Sequence, residues 1–175
     1  MKIAVLFSGG KDSTFAIDWA KSQGHEIAYL LSVKPSRKDC FLFHYATVEH
    51  SKELASQLGL KHILVGCDVA DPKLEAQIVK EVVEQNLVDA VVLGGVGLQE
   101  TQLRSISEAL SPLGIKVFAS HKGQDHAVVF KEMISKGYEI VITQVASAGL
   151  MNWLGKTVTK GNFSLLESDS KKFGF

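Results

Sequence analysis

The sequence predicts an α/β protein: a three-layer sandwich around a mainly parallel five-stranded sheet, with a small C-terminal subdomain. Three observations carry that prediction. Apolar runs such as Ile-Ala-Val-Leu-Phe at 3–7 and Ile-Ala-Tyr-Leu-Leu-Ser-Val at 27–33 lack the period-two alternation of a half-exposed strand, so they read as strands covered on both faces. The segment between them carries apolar residues at helical spacing, Phe15, Ala16, Trp19 and Ala20. A helix joining two buried strands implies a crossover and hence a parallel pair.

Each element follows in order. The first strand, residues 3–7, runs into Ser8-Gly9-Gly10-Lys11-Asp12-Ser13 and then the first helix, which Gly24 closes. The second strand, 27–33, leads to a polar loop, 34–39, that contains Pro35 and would wall the ligand pocket at the same sheet edge. Residues 40–45, Cys-Phe-Leu-Phe-His-Tyr, are too apolar for an ordinary loop; they either pack on the sheet or stack on a ligand. A helix over 47–58 stops at Gly59, and 62–66 is a short third strand. Asp71-Pro72 opens a helix with Leu74, Ile78, Val79, Val82 and Val83 as its buried stripe. Residues 89–93 form the fourth strand, ending at Gly94-Gly95-Val96-Gly97, with a helix over 98–110 and a fifth strand over 115–118. The polar run 120–126 marks a boundary between a first domain, 1–119, and a smaller subdomain, 120–175. The latter reads as a helix over 127–136, a strand over 138–145, a turn into a short helix ending at Leu154, and a polar tail anchored by Phe163, Leu165 and Leu166.

The loop after the first strand has the chemistry of a polyphosphate site. Open α/β sheets bind ligands at the carboxyl ends of their strands. Gly9 and Gly10 let a ligand approach the backbone, and the first turn of the helix offers amides without intrahelical partners. Ser8 and Ser13 add hydroxyls, and Lys11 adds a mobile cation. Asp12 could cap the helix and could also hold a magnesium ion, directly or through water. Each such contribution is worth roughly 0.3–1 kcal/mol when exposed, so a site needs their convergence. Neither the Walker pattern nor the dinucleotide fingerprint fits. The first would need a glycine where Val5 stands, and the second needs three spaced glycines. The second cluster, Gly94 and Gly95, also joins a strand to a helix and would face the same ligand or a second substrate. Glu100, Gln102 and Arg104 either reach over that site or form a solvated face with an i, i+4 charge pair.

Ser-Gly-Gly-Lys-Asp-Ser after a first apolar strand resembles the PP-loop of the N-type ATP pyrophosphatases, whose sheet is of the adenine nucleotide alpha hydrolase-like, HUP type. Within that superfamily the chain is most similar to the diphthine–ammonia ligase group and its archaeal-type ATP-binding relatives. The matching features beyond the loop are Phe43-His44, Leu58-Gly59-Leu60, Gly94-Gly95-Val96 with Arg104 downstream, Gln144-Val145, Gly149-Leu150 and Leu154-Gly155. The chain departs from the group after the second glycine cluster, where Leu98-Gln99-Glu100-Thr101 replaces a Ser-Asp-Tyr-Gln-type run, and at Val117-Phe118-Ala119-Ser120, which replaces Pro-Leu-Trp.

The resemblance implies an ATP-dependent amide ligase that forms AMP and pyrophosphate by adenylating a carboxylate for attack by ammonia. It further implies diphthine on translation elongation factor 2 as the acceptor. ATP and Mg2+ are the implied cofactors. Ser8, Gly9, Gly10, Lys11, Asp12, Ser13, Gly94 and Gly95 are the implied nucleotide contacts, Lys11, Asp12 and Arg104 the implied catalytic groups, and Asp12 the metal ligand. Residues 120–175 become a substrate-side subdomain. Two other readings of the loop are a transfer-RNA-modifying PP-loop ATPase, with Cys40 as sulfur carrier, and an ATP-binding sensor without turnover.

Composition narrows these. Lysine plus arginine balance aspartate plus glutamate at 19 each, which argues against a nucleic-acid partner gripped through its phosphates. Zero net charge limits solubility near neutral pH, and assembly into a homo-oligomer would bury part of that surface. The apolar run after Lys2 is too short for a signal peptide, and no stretch approaches the ~20 apolar residues of a membrane span. Cys40 and Cys67, the two cysteines, lack metal spacing and suit a reducing cytoplasm. The six histidines show no His-Glu-x-x-His pattern, against a metallohydrolase.

Overall fold

The computed structural model describes residues 1–43, 48–95 and 100–174, which fall into two compact units, Met1–Gly123 and Gln124–Phe175. The first unit alternates strand and helix: β1 (Lys2–Leu6), α1 (Lys11–Ser22), β2 (Glu26–Pro35), α2 (Ser51–Gln57), β3 (His62–Cys67), α3 (Pro72–Gln85), β4 (Ala90–Leu93), α4 (Glu100–Leu110) and β5 (Lys116–Ala119). The five strands form one parallel sheet in the order β3-β2-β1-β4-β5.

Side-chain alternation along β1 divides the core. Ile3, Val5 and Phe7 point to one face, where Ala16, Ile17 and Ala20 of α1 and Ala55 of α2 cover them. Ala4 and its neighbours Leu31, Val33, Val91 and Leu93 point to the other, under Val79 and Val83 of α3 and Ile106 and Leu110 of α4. Helices on both faces make the three layers and explain why the strands read as unbroken apolar runs. Phe7, Phe15, Ile3, Leu30 and Leu31 are fully buried, each worth roughly 1.5–3 kcal/mol over an exposed position.

Strand order decides where a ligand goes. From β1 the chain winds outward through β2 to β3, then returns to lay β4 on the other side of β1. The reversal between β1 and β4 is a topological switch point, and the crevice beyond its carboxyl ends is the ligand site of open α/β sheets. Residues 8–13 and Gly94-Gly95 border that crevice directly.

Several boundaries differ from the sequence expectation. The loop placed at 34–39 begins later, because β2 continues to Pro35, paired with Cys67. Even-numbered β2 residues turn their amides to β3, as Leu30 N to Lys61 O and Ser36 N to Cys67 O show. The Pro35 nitrogen therefore faces the side where β1 has already ended, and its missing N–H breaks no ladder bond. Helix α2 is preceded by a 3-10 turn, Val48–His50, so it is shorter than the expected 47–58. On α3, Leu74 is 55% exposed, while Glu75, absent from the expected stripe, is wholly buried.

The second unit contains α5 (His126–Ser135), a two-stranded antiparallel sheet of β6 (Ile140–Val141) and β7 (Thr157–Val158), a 3-10 turn Ala148–Trp153, and α6 (Phe163–Phe173). The expected strand over 138–145 shrinks to two paired residues because β7 is equally short. Helix α6 replaces the expected polar tail. Phe163 buries its near end, Phe173 lies against Gly149, and Trp153 Nε1 donates to Asp169 Oδ2 at 2.8 Å.

Candidate functional site

The loop over residues 8–13 is built around one carbonyl. Gly10 O accepts from Thr14 N, Thr14 Oγ1 and Ser13 Oγ, each at 3.0 Å, so the entry of the chain into α1 is fixed by three donors. Gly10 is itself the N-cap and has no capping side chain; Asp12, expected as a cap, sits inside the first turn instead. There its carboxylate accepts from Lys11 Nζ at 2.7 Å, on the exposed side of the turn. Ser8 and Ser13 meet across the loop: Ser8 N donates to Ser13 Oγ at 3.2 Å, and the two hydroxyls lie 3.2 Å apart. Gly9 adopts φ +78°, a conformation that favours glycine, and turns the chain back over Ser51 of α2.

Gly94 shows the second glycine requirement. A Cβ there would come within 2.6 Å of Ser13 Cα and still nearer the Asp12 carbonyl. The absence of a side chain lets the end of β4 press against the first turn of α1, closing the floor of the crevice. Gly95 follows at φ +123°. The rest of the second glycine cluster, residues 96–99, lies outside the described residues, as do His44 and Tyr45 of the aromatic segment.

Beneath the loop is a buried polar cluster that the sequence did not signal. Ser32 Oγ donates to the Phe7 carbonyl immediately before the loop, and Ser51 Oγ donates to Val48 O at 2.5 Å. His62 Nε2 lies 2.8 Å from Ser32 Oγ and 3.2 Å from Ser51 Oγ, and the two hydroxyls are themselves 2.9 Å apart, so the three side chains share one hydrogen-bonded cluster. Burial, and then the charge of Lys52, lower the His62 pKa from its usual range. A histidine whose folded pKa lies below its unfolded value contributes stability above about pH 6.5 that is lost as pH falls, because the unfolded chain then binds the extra proton. The difference in unfolding free energy between the wild type and His62→Gln should therefore shrink between pH 7.5 and 5.5. Glutamine keeps a donor but does not titrate. A constant difference in urea midpoints across that range would exclude the assignment.

A second cluster holds the segment after β2. Glu75 accepts from Phe41 N at 2.9 Å and Leu42 N at 2.7 Å, and Gln102 Nε2 donates to Leu42 O at 2.6 Å. Leu42 is buried and Phe43 packs on the core, as the packing alternative required, whereas Phe41 is 53% exposed. Cys40 and Cys67 both donate to Val69 O, at 3.2 and 3.5 Å. Burial first, and Cys67 second, push the Cys40 thiol up to about 11, so it is a poor nucleophile at neutral pH.

Arg104 is placed differently from the other expected site residues. Its side chain is 72% exposed on α4 and its Nε lies 3.9 Å from Glu108, an exposed i, i+4 pair on the C-terminal side of Arg104. Arg37 and Asp39, in the loop after β2, form a two-bond pair at 2.8 and 2.7 Å; hydrogen bonding holds the guanidinium pKa up and the carboxyl pKa down. Among the described residues no three His, Cys, Asp or Glu side chains converge as a metal cage, and no helix is long and apolar enough to cross a membrane. A single carboxylate such as Asp12 still suits magnesium, which keeps most of its water and takes other ligands from substrate phosphates.

Comparison with known proteins gives the family. A family model described as the diphthamide synthase N-terminal domain matches residues 1–117. The chain is 28% identical to diphthine–ammonia ligase of Danio rerio, over 99% of its own length and 76% of that protein. It is 24% identical to diphthine–ammonia ligase of Homo sapiens, over 99% and 73%. Among solved structures, a universal stress protein family member from Burkholderia pseudomallei is similar over 67% of this chain and 93% of that one, at 13% identity and a TM-score of 0.37.

Proposed function

As the chain belongs to the diphthamide synthase N-terminal domain family, a family of ligases, we propose that it is an ATP-dependent amide ligase forming AMP and pyrophosphate. The observation that supports this reading is the Ser8–Ser13 loop at the β1/β4 switch point, which brings two glycines, two hydroxyls 3.2 Å apart and the Lys11–Asp12 pair together in six consecutive residues. A substrate carboxylate attacks the α-phosphorus of ATP in line. The bond to the β,γ-unit breaks, pyrophosphate leaves, and an acyl-adenylate remains. Ammonia then attacks the acyl carbon, AMP departs, and one proton is released as the amide forms.

The protein's part is positioning and charge compensation, since phosphoryl-type transfer leaves little covalent work. The backbone of Gly9 and Gly10 and the Ser8 and Ser13 hydroxyls would cradle the phosphates. Lys11 would exchange Asp12 for the departing pyrophosphate, freeing the Asp12 carboxylate for a hydrated Mg2+ that neutralises phosphate charge. Gly94, by letting β4 press on the first turn of α1, would hold that turn in place beneath the ligand, and the backbone of Gly95 would border it from the β4 side. Arg104 would have to leave Glu108 before it could serve the same charge. The family relation supports diphthine as the acceptor, which we read as carried on a protein such as translation elongation factor 2. The raised Cys40 thiol argues against the sulfur-carrier alternative.

Incubation with ATP, magnesium, ammonium and diphthine-bearing elongation factor should yield AMP and pyrophosphate in equal amounts, with a mass loss of about one dalton on the acceptor as carboxylate becomes amide. Formation of ADP, or AMP release independent of acceptor, would overturn the ligase reading.

A further inference from the structure

The carboxylate of Glu75 is wholly buried, makes no hydrogen-bonding contact with a lysine or arginine among the described residues, and accepts from two consecutive amides, Phe41 N and Leu42 N. Removing a carboxylate from water is costly unless its hydrogen bonds are replaced, so a buried carboxylate spent on a loop holds that loop firmly. Gln102 fixes the same loop from another direction through Leu42 O. Glu75 lies in the first turn of α3, which follows β3, and Gln102 lies in the first turn of α4, which follows β4. The segment they grip follows β2. Three connections at the carboxyl edge of the sheet, on its α3/α4 side, are thus tied by three hydrogen bonds, while the phosphate loop after β1 lies at the same edge.

We propose that Glu75 and Gln102 are positioning residues for the nucleoside end of the bound nucleotide: they hold residues 40–43 at a fixed height beside the crevice and thereby set ATP affinity without touching ATP. The inference rests on the reading of residues 8–13 as the seat of the phosphates. With the phosphates there, the remainder of the nucleotide must extend along the sheet edge over β2 or β4, whose connections this clamp joins. The phosphate seat has its own scaffold in Gly10 O, Ser8, Ser13 and the Ser32–Ser51–His62 cluster, none of which uses Glu75 or Gln102.

That independence gives the test. Gln102→Leu removes the donor at nearly constant volume, and Glu75→Gln presents an NH2 group to one of two N–H groups that need an acceptor. Titration calorimetry with Mg-ATP and with magnesium pyrophosphate should show the Kd for ATP rising at least tenfold in both variants and that for pyrophosphate changing less than twofold. Amide exchange at Phe41 and Leu42 should accelerate, and the thermal midpoint of Gln102→Leu should stay within a few degrees of wild type. A purely structural role would lower the midpoint and weaken both ligands together; that result, or accelerated exchange with unchanged ATP affinity, overturns the proposal. Failure of wild-type protein to bind either ligand would instead remove the phosphate-loop reading, and the proposal with it.

Discussion

Replacing Lys11 with alanine should lower kcat/KM for ATP-dependent amide formation at least 100-fold while the protein stays folded. A hundredfold loss corresponds to about 2.7 kcal/mol of transition-state stabilisation, within the range of a group aimed at developing charge. The charge concerned is that of pyrophosphate as its bond to the α-phosphorus breaks. Lysine suits it because its ammonium is a compact charge on a long stem that can follow the leaving group. Stability should barely change, since the ion pair with Asp12 is local and partly exposed, and such pairs contribute roughly 0–1 kcal/mol. Steady-state kinetics together with a thermal melt check both halves. Turnover within a few-fold of wild type would exclude Lys11 from the reaction, and an unfolded variant would show that its role is structural.

The second large effect belongs to Gly94. The added methyl of Gly94→Ala would meet Ser13 Cα at 2.6 Å and the Asp12 carbonyl, both main-chain atoms that no rotamer change can clear. Either β4 or the start of α1 must shift. Overpacking of this kind costs about 1–3 kcal/mol, and a main-chain obstacle puts the change near the upper figure. For a protein of this size that corresponds to a fall of roughly 6–12 °C in Tm. ATP binding should suffer with it, because the displaced turn carries Lys11, Asp12 and Ser13. Gly10→Ala is the control: φ is −77°, and its Cβ would find Ser8 Oγ at 3.4 Å, so Tm should move by no more than a few degrees. Equal melting shifts in the two variants would refute the close-approach argument.

The sheet was legible because every strand is short, apolar and bounded by polar or glycine-rich text, and because both faces are covered. The turn that joins β1 to α1 was legible for a related reason: its glycines, hydroxyls and lysine stand in immediate succession, so the whole device is local in sequence. The supports of the site are not local. Glu75 acts on Phe41 and Leu42 across more than thirty positions, 34 and 33, and Gln102 acts on Leu42 across 60. Before folding, Glu75 is one acidic residue beside an apolar stripe, and Leu74 looks the better core candidate. What decides between them is two amides brought by a distant loop. Ser32, Ser51 and His62 were hidden in the same way, since each lies in an ordinary strand or helix and only tertiary packing joins them. In the second unit, α6 escaped because its burial is concentrated in Phe163 and it therefore lacks a continuous apolar stripe.

The position of β1 in the sheet order bears on how the molecule is made. This strand leaves the ribosome well before β4, its second neighbour, with Ile3 beside Ala90 and the Lys2 amide bonded to the Asp89 carboxylate. At about 5–20 residues per second, several seconds of translation separate the two partners. Throughout that interval the apolar face that β4 will cover is incomplete, and the crevice has only one bank. Completion of that crevice is therefore a late event in the life of the nascent chain, dependent on a long-range pairing that loop closure makes slow.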